Sequence, residues 1–250
     1  MFSATITDGK LLRDSIDTIA ALIDEGVLRI RPEGLEIVAA DRAMVAMVDW
    51  KLAASAFEGW TCDKPHTLGL NLLNFLTVLK RAGPNDRISL RLNETDNRFE
   101  ITLTGDSVRK FAVPLLELGG EEPPNVNAFE FSANAEVSSD VLAAGIDDAA
   151  VIADSVTVEL DPASLKMWAE GDSSKTELKL EKGSIALTSV NAASTIKARY
   201  PLEYLKKALK AARIASRASL KMSNDYPLRL DFINDRVKLG FIIAPRVAEE

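Results

Sequence analysis

Two halves of this chain carry the same apolar pattern, and that repeat limits the folds open to it more than any single motif. Leu35 and Ile37 recur as Leu165 and Met167, and Leu72 and Leu79 recur as Leu202 and Leu209. Ile23, Leu28 and Ile30 recur as Ile152, Val158 and Leu160, and every offset is 129 or 130 residues. One pair of elements could agree by chance. Helix, strand, strand and helix agreeing in one order at one spacing points to a duplicated unit. The expected fold is therefore α+β: two similar domains of one topology, each with two helices on a largely antiparallel sheet. The expected division is residues 1–115, a connector over 116–129, and residues 130–250.

Periodicity fills in the elements. Apolar residues recurring at three and four predict helices over 10–24 (Leu12, Ile16, Ile19 and Ile23 inward) and 71–82 (Leu72, Phe75, Leu76 and Leu79 inward). Gly83-Pro84 stops the second. In the other half the same signal predicts helices over 137–148 and 201–213. Short alternating runs between them predict strands, among them 2–7, 27–31, 35–40, 44–52, 108–115, 175–181, 228–233 and 237–243.

The connector holds Glu117, Glu121 and Glu122 and no basic residue. Gly119-Gly120 and Pro123-Pro124 forbid a regular helix or central strand through it. A passive tether has no use for Leu118, Val126 and Phe129, so the connector is expected to offer a surface to partners. The net charge of −7 repels nucleic acid at long range, so any nucleic-acid role needs basic side chains gathered on one face. No apolar run is long enough to cross a membrane, and the first residues do not read as a signal peptide. Cys62 is the one cysteine, which leaves no internal disulfide and fits a reducing interior.

Catalytic chemistry finds little support. His66 is the only histidine and sits in a strand-like run with no ligand-spaced cluster around it, so it is read as structural, with no metal and no cofactor expected. Gly171–Thr176 superficially suggests a phosphate loop, but it lacks a glycine before Lys175 and joins two strands. Glu121-Glu122 lacks the fixed geometry that paired catalytic carboxylates need. The outer helix faces say more. Lys206, Lys210, Arg213 and Arg217 recur at four, three and four, with Lys207 beside them, making one basic stripe if the helix runs that far. Lys80 and Arg81 end the second helix, and Lys10 and Arg13 lie outward on the first with Asp14 and Asp17. The third helix departs from this, with Asp140, Asp147 and Asp148 and no lysine or arginine.

Several local strings add to the repeat: Ala39-Ala40-Asp41 before Met44-Val45, Trp60-Thr61-Cys62-Asp63, Gly69-Leu70-Asn71-Leu72, Leu79-Lys80-Arg81-Ala82-Gly83, Asp225-Tyr226-Pro227-Leu228 and Ala244-Pro245-Arg246-Val247. In this order, with a duplicated domain and an acidic connector, the chain resembles the sliding clamps of archaea and eukaryotes, the proliferating cell nuclear antigen family, over essentially its whole length. Its ending looks more like an archaeal member.

The resemblance implies a DNA clamp fold closed as a homotrimeric ring of six domains. It implies a non-catalytic, intracellular (cytoplasmic or nucleoid-associated) processivity factor that encircles duplex DNA without reading sequence. Lys10, Arg13, Lys80, Arg81, Lys206, Lys207, Lys210, Arg213 and Arg217 would then face DNA. A clamp loader would place the ring. DNA polymerase, flap endonuclease and DNA ligase would dock through short peptides in a groove of Ala40, Met44, Val45, Met47, Leu118, Pro124, Val126, Phe129, Pro227, Ile243, Ala244 and Pro245. Two methionines suit a pocket that accepts several partners. Subunits would join through Arg109, Lys110, Phe111 and Val113 on one strand and Lys175, Glu177 and Lys179 on another. The alternative is a scaffold of the same fold that does not load on DNA, which the acidic third helix keeps open.

Overall fold

The computed structural model describes residues 1–118 and 123–246. Gly119, Gly120, Glu121 and Glu122 of the connector, and Val247, therefore lie outside the described residues. The chain forms two compact units, one of Met1–Ala40, Val48–Pro124 and Asp235–Lys238, the other of Asp41–Met47, Asn125–Asn234 and Leu239–Glu250. Asp41–Met47 and Asp235–Lys238 are thus exchanged relative to the linear order.

The first half of the chain runs β1 (Phe2–Ile6), α1 (Lys10–Ala20), β2 (Glu25–Arg31), β3 (Gly34–Ala40), β4 (Ala46–Ala53), β5 (Gly59–Cys62), β6 (His66–Asn71), α2 (Leu72–Leu79), β7 (Arg87–Asn93), β8 (Arg98–Thr104) and β9 (Val108–Pro114). Here the strands lie side by side in the orders β5-β1-β7-β8-β9 and β4-β3-β2-β6. After the connector come β10 (Ala133–Ser138), α3 (Ser139–Ile152), β11 (Ser155–Leu160), β12 (Ser164–Glu170), β13 (Lys175–Glu181), β14 (Leu187–Ala192), β15 (Ile196–Pro201), α4 (Leu202–Ala208), β16 (Arg217–Met222), β17 (Leu228–Ile233) and β18 (Val237–Ile243). These lie in the orders β14-β10-β16-β17-β18 and β13-β12-β11-β15. Adding nine to each strand number of the first set gives the second, so the repeat in apolar spacing is a repeat in topology.

The core of each unit follows from alternation. Along β8, Phe99, Ile101 and Leu103 are fully buried, and along β11 Val156, Val158 and Leu160 are, while the residues between them are half-buried. Each such side chain is worth roughly 1.5–3 kcal/mol on burial. An aromatic cluster closes the first unit: Phe2 meets Trp60 edge-on at 5.4 Å, and Phe99 meets Phe75 edge-on at 5.6 Å. Helices lie against the sheets along one stripe. Asn71 caps α2 by accepting the Asn74 N–H at 2.9 Å, which satisfies one free amide of the first turn. In α3, a Cβ at Gly145 would lie 2.6 Å from Leu178 and 2.7 Å from Met167, so the glycine lets the helix settle directly on β12 and β13.

The helices are shorter than their apolar stripes. α1 ends at Ala20 although Ile23 remains buried, and α2 ends at Leu79. α3 instead runs on to Ile152. β10 has no counterpart among the strands read from the sequence. Its inward residues are Ala133, Ala135 and Val137, whose small side chains give a weak alternating signal. Asp14, expected outside, is buried on α1, and Thr18, one turn on, donates its hydroxyl to the Asp14 carbonyl at 2.8 Å.

Candidate functional site

The basic residues of the first unit sit where α1 and α2 adjoin. Lys10 and Arg13 line a cleft of about 280 Å³ together with Leu79, Ala82, Gly83 and Asp86. Lys80 reaches Asp17 on α1 at 2.7 Å, and Arg13 lies 3.7 Å from the Asp14 carboxylate. Among the described residues, no carboxylate lies within 4.0 Å of Lys10 or Arg81, which leaves these two charges for solvent or a ligand. Arg109 reaches from β9 to the turn after α2. It donates to the Arg81 carbonyl at 2.9 Å and to the Asp86 carboxylate, which also accepts the Gly83 N–H at 2.6 Å. Arg109, named from the sequence as a contact between subunits, therefore has its guanidinium committed within its own unit.

In the second unit the stripe is shorter than its spacing implied. α4 stops at Ala208, and a 3-10 turn over Leu209–Arg213 follows. Tightening to three residues per turn moves Arg213 relative to Lys210. Its Nε donates to the Lys210 carbonyl at 3.1 Å. The helix does not reach Arg217. That residue opens β16 and donates to the Ile185 carbonyl at 2.8 Å, so it leaves the stripe. Lys206 lies 3.4 Å from Asp147 of α3. Lys207 pairs with Glu203 at 2.6 Å and lies over the Tyr204 ring, 5.3 Å from its centroid. Lys210 is exposed and has no carboxylate within 4.0 Å among the described residues. Asp140, Asp147 and Asp148 are exposed on α3, so a face without basic residues stands beside a basic one.

The groove residues divide between the units. Ala40, Leu118 and Pro124 belong to the first, where Leu118 packs beside Gly69 of β6 and the Leu116 N–H donates to the Gly69 carbonyl at 2.9 Å. The rest belong to the second. There Asp41 organises the loop before β4. Its Oδ1 accepts the Val45 and Ala46 amides at 2.8 and 2.7 Å, and its Oδ2 accepts the Ala43 amide at 3.1 Å. Its own amide bonds the Ala46 carbonyl at 2.9 Å. Met44, expected in a strand, is instead in this loop at φ 56°, a left-handed conformation costing on the order of 1 kcal/mol or more for a residue with a side chain. Its side chain is 65% exposed. The Ala244 amide donates to the Val45 carbonyl at 2.8 Å, joining the segment after β18 to the loop.

The far end of the connector is also anchored within the second unit. Val126 is buried, and its carbonyl accepts from Arg229 at 3.1 Å. Arg229 is itself buried, its Nε donating to both carboxylate oxygens of Asp231 at 3.0 and 2.8 Å. Phe129 and Phe131 flank Tyr226 edge-on at 6.1 and 6.0 Å. Pro227, beside that tyrosine, is half-buried, as are Val45, Met47, Ala244 and Pro245. Ile243 is fully buried, so its side chain supports the surface from beneath and does not line it.

The named strand residues lie on β9 and β13, each the last strand in its row. On β9, Val113 is buried opposite Phe99, Phe111 is half-buried and Lys110 is exposed. On β13, Lys175, Glu177 and Lys179 are exposed and paired with Glu170, Lys166 and Glu181 at 3.0, 3.1 and 2.7 Å. His66 is buried between Asp63 and Glu94, 3.4 Å from each. Among the described residues no group of three or more His, Cys, Asp or Glu could hold a metal ion. Nor is any described helix long and apolar enough to cross a membrane.

Sequence reasoning missed Gly69, Tyr204, Arg229 and Asp231. Opposite charges two apart in the strand-like run Leu228–Ile233 were a usable signal for Arg229 and Asp231, because they share one face of the strand, and such residues are buried almost only when paired.

Comparisons with known proteins agree over the whole length. The proliferating cell nuclear antigen N-terminal domain matches residues 1–119 and the C-terminal domain matches residues 125–246. A protein of Thermococcus sibiricus named DNA polymerase sliding clamp is 33% identical over 99% of both chains. One of the same name from Nanoarchaeum equitans is 32% identical over 97% of this chain and 98% of its own. The solved structure of PCNA from Thermococcus kodakaraensis superposes with a TM-score of 0.90 at 25% identity, covering 98% of this chain and all of that one. Two successive domain matches, the doubled strand order and the full-length relatives together make this chain a member of the proliferating cell nuclear antigen family.

Proposed function

We infer that the chain is a DNA sliding clamp, a processivity factor that holds replication proteins on duplex DNA. The observation that carries this is the match of both family domains, in order, along a chain whose relatives bear that name. Those matches do not favour a scaffold that never meets DNA.

In this reading three copies close head to tail into a ring. Support comes from the two end strands, β9 and β13, which are different strands with open backbone edges and so suit a heterologous contact. The helices face the duplex. Lys10, Arg81 and Lys210 carry free charge, while Lys80 and Lys206 are shared with Asp17 and Asp147. Such charges attract phosphates without distinguishing bases, and each exposed contact is screened and weak. Persistence then comes from the topological link. The clamp loader, polymerase, flap endonuclease and ligase are proposed as partners. The last three bring a short segment with a glutamine, an aliphatic residue and two aromatics to the surface formed by Met44, Val45, Ala244 and Pro245. The clamp does no chemistry of its own.

The test is retention on circular DNA. Loaded with a clamp loader onto a nicked circle, the protein stays bound through a high-salt wash and is released when the circle is cut to a linear form with free ends. Release at the same rate from intact circles would overturn the reading.

A further inference from the structure

Asp41 is the hub of the loop that presents Met44 and Val45, and one of its bonds comes from far along the chain. The Tyr204 hydroxyl of α4 donates to Asp41 Oδ2 at 3.1 Å, across 163 residues of sequence. The other three bonds to that carboxylate come from the loop's own amides at Ala43, Val45 and Ala46. A carboxylate accepts such bonds strongly, and several converging on it fix a turn that the backbone alone would not hold. This turn needs holding, because Met44 stands at φ 56°.

Resting on the groove assignment above, we propose that Tyr204 is a positioning residue for client binding. Its hydroxyl locks Asp41, and Asp41 locks the loop in the shape that displays Met44 and Val45.

The phenol is suited to the task. Burial, followed by the charge of Asp41 and the hydrogen bond to it, raises its pKa above the ordinary tyrosine value, so the donor proton stays in place at neutral pH. The ring is itself located, with the Lys207 ammonium 5.3 Å from its centroid and Lys207 tied to Glu203 at 2.6 Å. The loop is thereby attached to α4, the helix that carries Lys206 and leads into the 3-10 turn with Lys210.

Tyr204→Phe in the full chain removes only the hydroxyl. The expected result is exchange of the Val45 and Ala46 amides with deuterium about tenfold faster, from the loss of a hydrogen bond to a charged acceptor. A synthetic peptide with a glutamine, an aliphatic residue and two aromatics should bind about three- to tenfold more weakly, with oligomeric state unchanged and melting lowered by only a few degrees. Combining Tyr204→Phe with Asp41→Asn should give less than the sum of the two effects. Unchanged exchange at Val45 and Ala46 in Tyr204→Phe overturns the proposal. Val45→Asp separates the two levels. If Val45→Asp leaves peptide binding intact, the groove assignment fails. If Val45→Asp abolishes it while Tyr204→Phe leaves it unchanged, the groove stands and the role of Tyr204 is refuted.

Discussion

Replacing Gly69 is the sharpest way to disturb the start of the connector without touching a charge or the core. A Cβ at this position would lie 2.2 Å from the Leu116 carbonyl oxygen and 2.9 Å from Leu118 Cγ. Ordinary contact begins near 3.4 Å, so the Leu116 backbone must retreat by about 1.2 Å (3.4 less 2.2). That retreat breaks the Leu116 amide's 2.9 Å bond to the Gly69 carbonyl, worth about 0.5–1.5 kcal/mol. It also uncovers part of Leu118, worth about 1 kcal/mol. Alanine gives back about 0.4–1 kcal/mol by restricting the unfolded chain. The net cost of Gly69→Ala is therefore about 1 kcal/mol, or a fall in melting temperature of about 2–4 °C. Gly69→Val, with more volume at the same point, should cost more. Deuterium exchange at the Leu116 amide and thermal melting measure the two consequences. If Gly69→Val leaves both unchanged, the connector is not held on β6 in the way the geometry implies.

Reversing Lys210 and Arg213 together to glutamate should shorten loader-dependent retention on circular DNA at low salt while the trimer persists by sizing. Each single reversal should be mild, because a screened surface contact is worth about 1 kcal/mol or less. Val45→Asp should abolish binding of the client peptide by calorimetry, since a charge would enter the surface proposed to bury the peptide's aromatic side chains, and the oligomer should remain. The Asp161 carboxyl accepts the Ser164 hydroxyl at 2.6 Å and the Ala163 and Ser164 amides at 2.7 and 2.8 Å. The Ser164 hydroxyl first, then the Ala163 amide, hold its pKa below the usual carboxylate value. A depressed folded pKa gives stability that is present above the unfolded value, near 4, and lost as pH falls through the folded one. Asp161→Asn should therefore lower the melting temperature at neutral pH and flatten its decline below pH about 4.

The fold was legible where apolar residues are large. Leu72, Phe75, Leu76 and Leu79 mark α2, and β8 and β11 have the bounds their alternation predicts, because one face of each is core; β13, β17 and β18 also have the expected bounds, although β17 and β18 are buried on both faces. It failed where the inward residues are small, as with Ala133 and Ala135 of β10. Helix ends were misjudged because Ile23 is buried from a turn that follows α1, and burial alone does not tell helix from turn. The basic stripe illustrates a different limit. Spacing at four, three and four assumes one helix throughout, and the change to 3-10 geometry at Leu209 breaks that assumption before Arg217. Contacts such as Tyr204 with Asp41 join residues 163 apart, and nothing local to either residue records the pairing.

The two end strands have a further consequence. In the ring proposed above, β9 of one subunit meets β13 of the next, and because the two strands are unlike, a subunit damaged on only one of them would still join a sound neighbour through the other. It then terminates the assembly at its bad end, as a capped monomer stops a growing polymer. In the proposed ring of three, a mixture with about one defective chain in ten would leave about a quarter of the rings unable to close, since closure demands soundness at every joint. Such a chain would disable rings at well over its own share of the mixture.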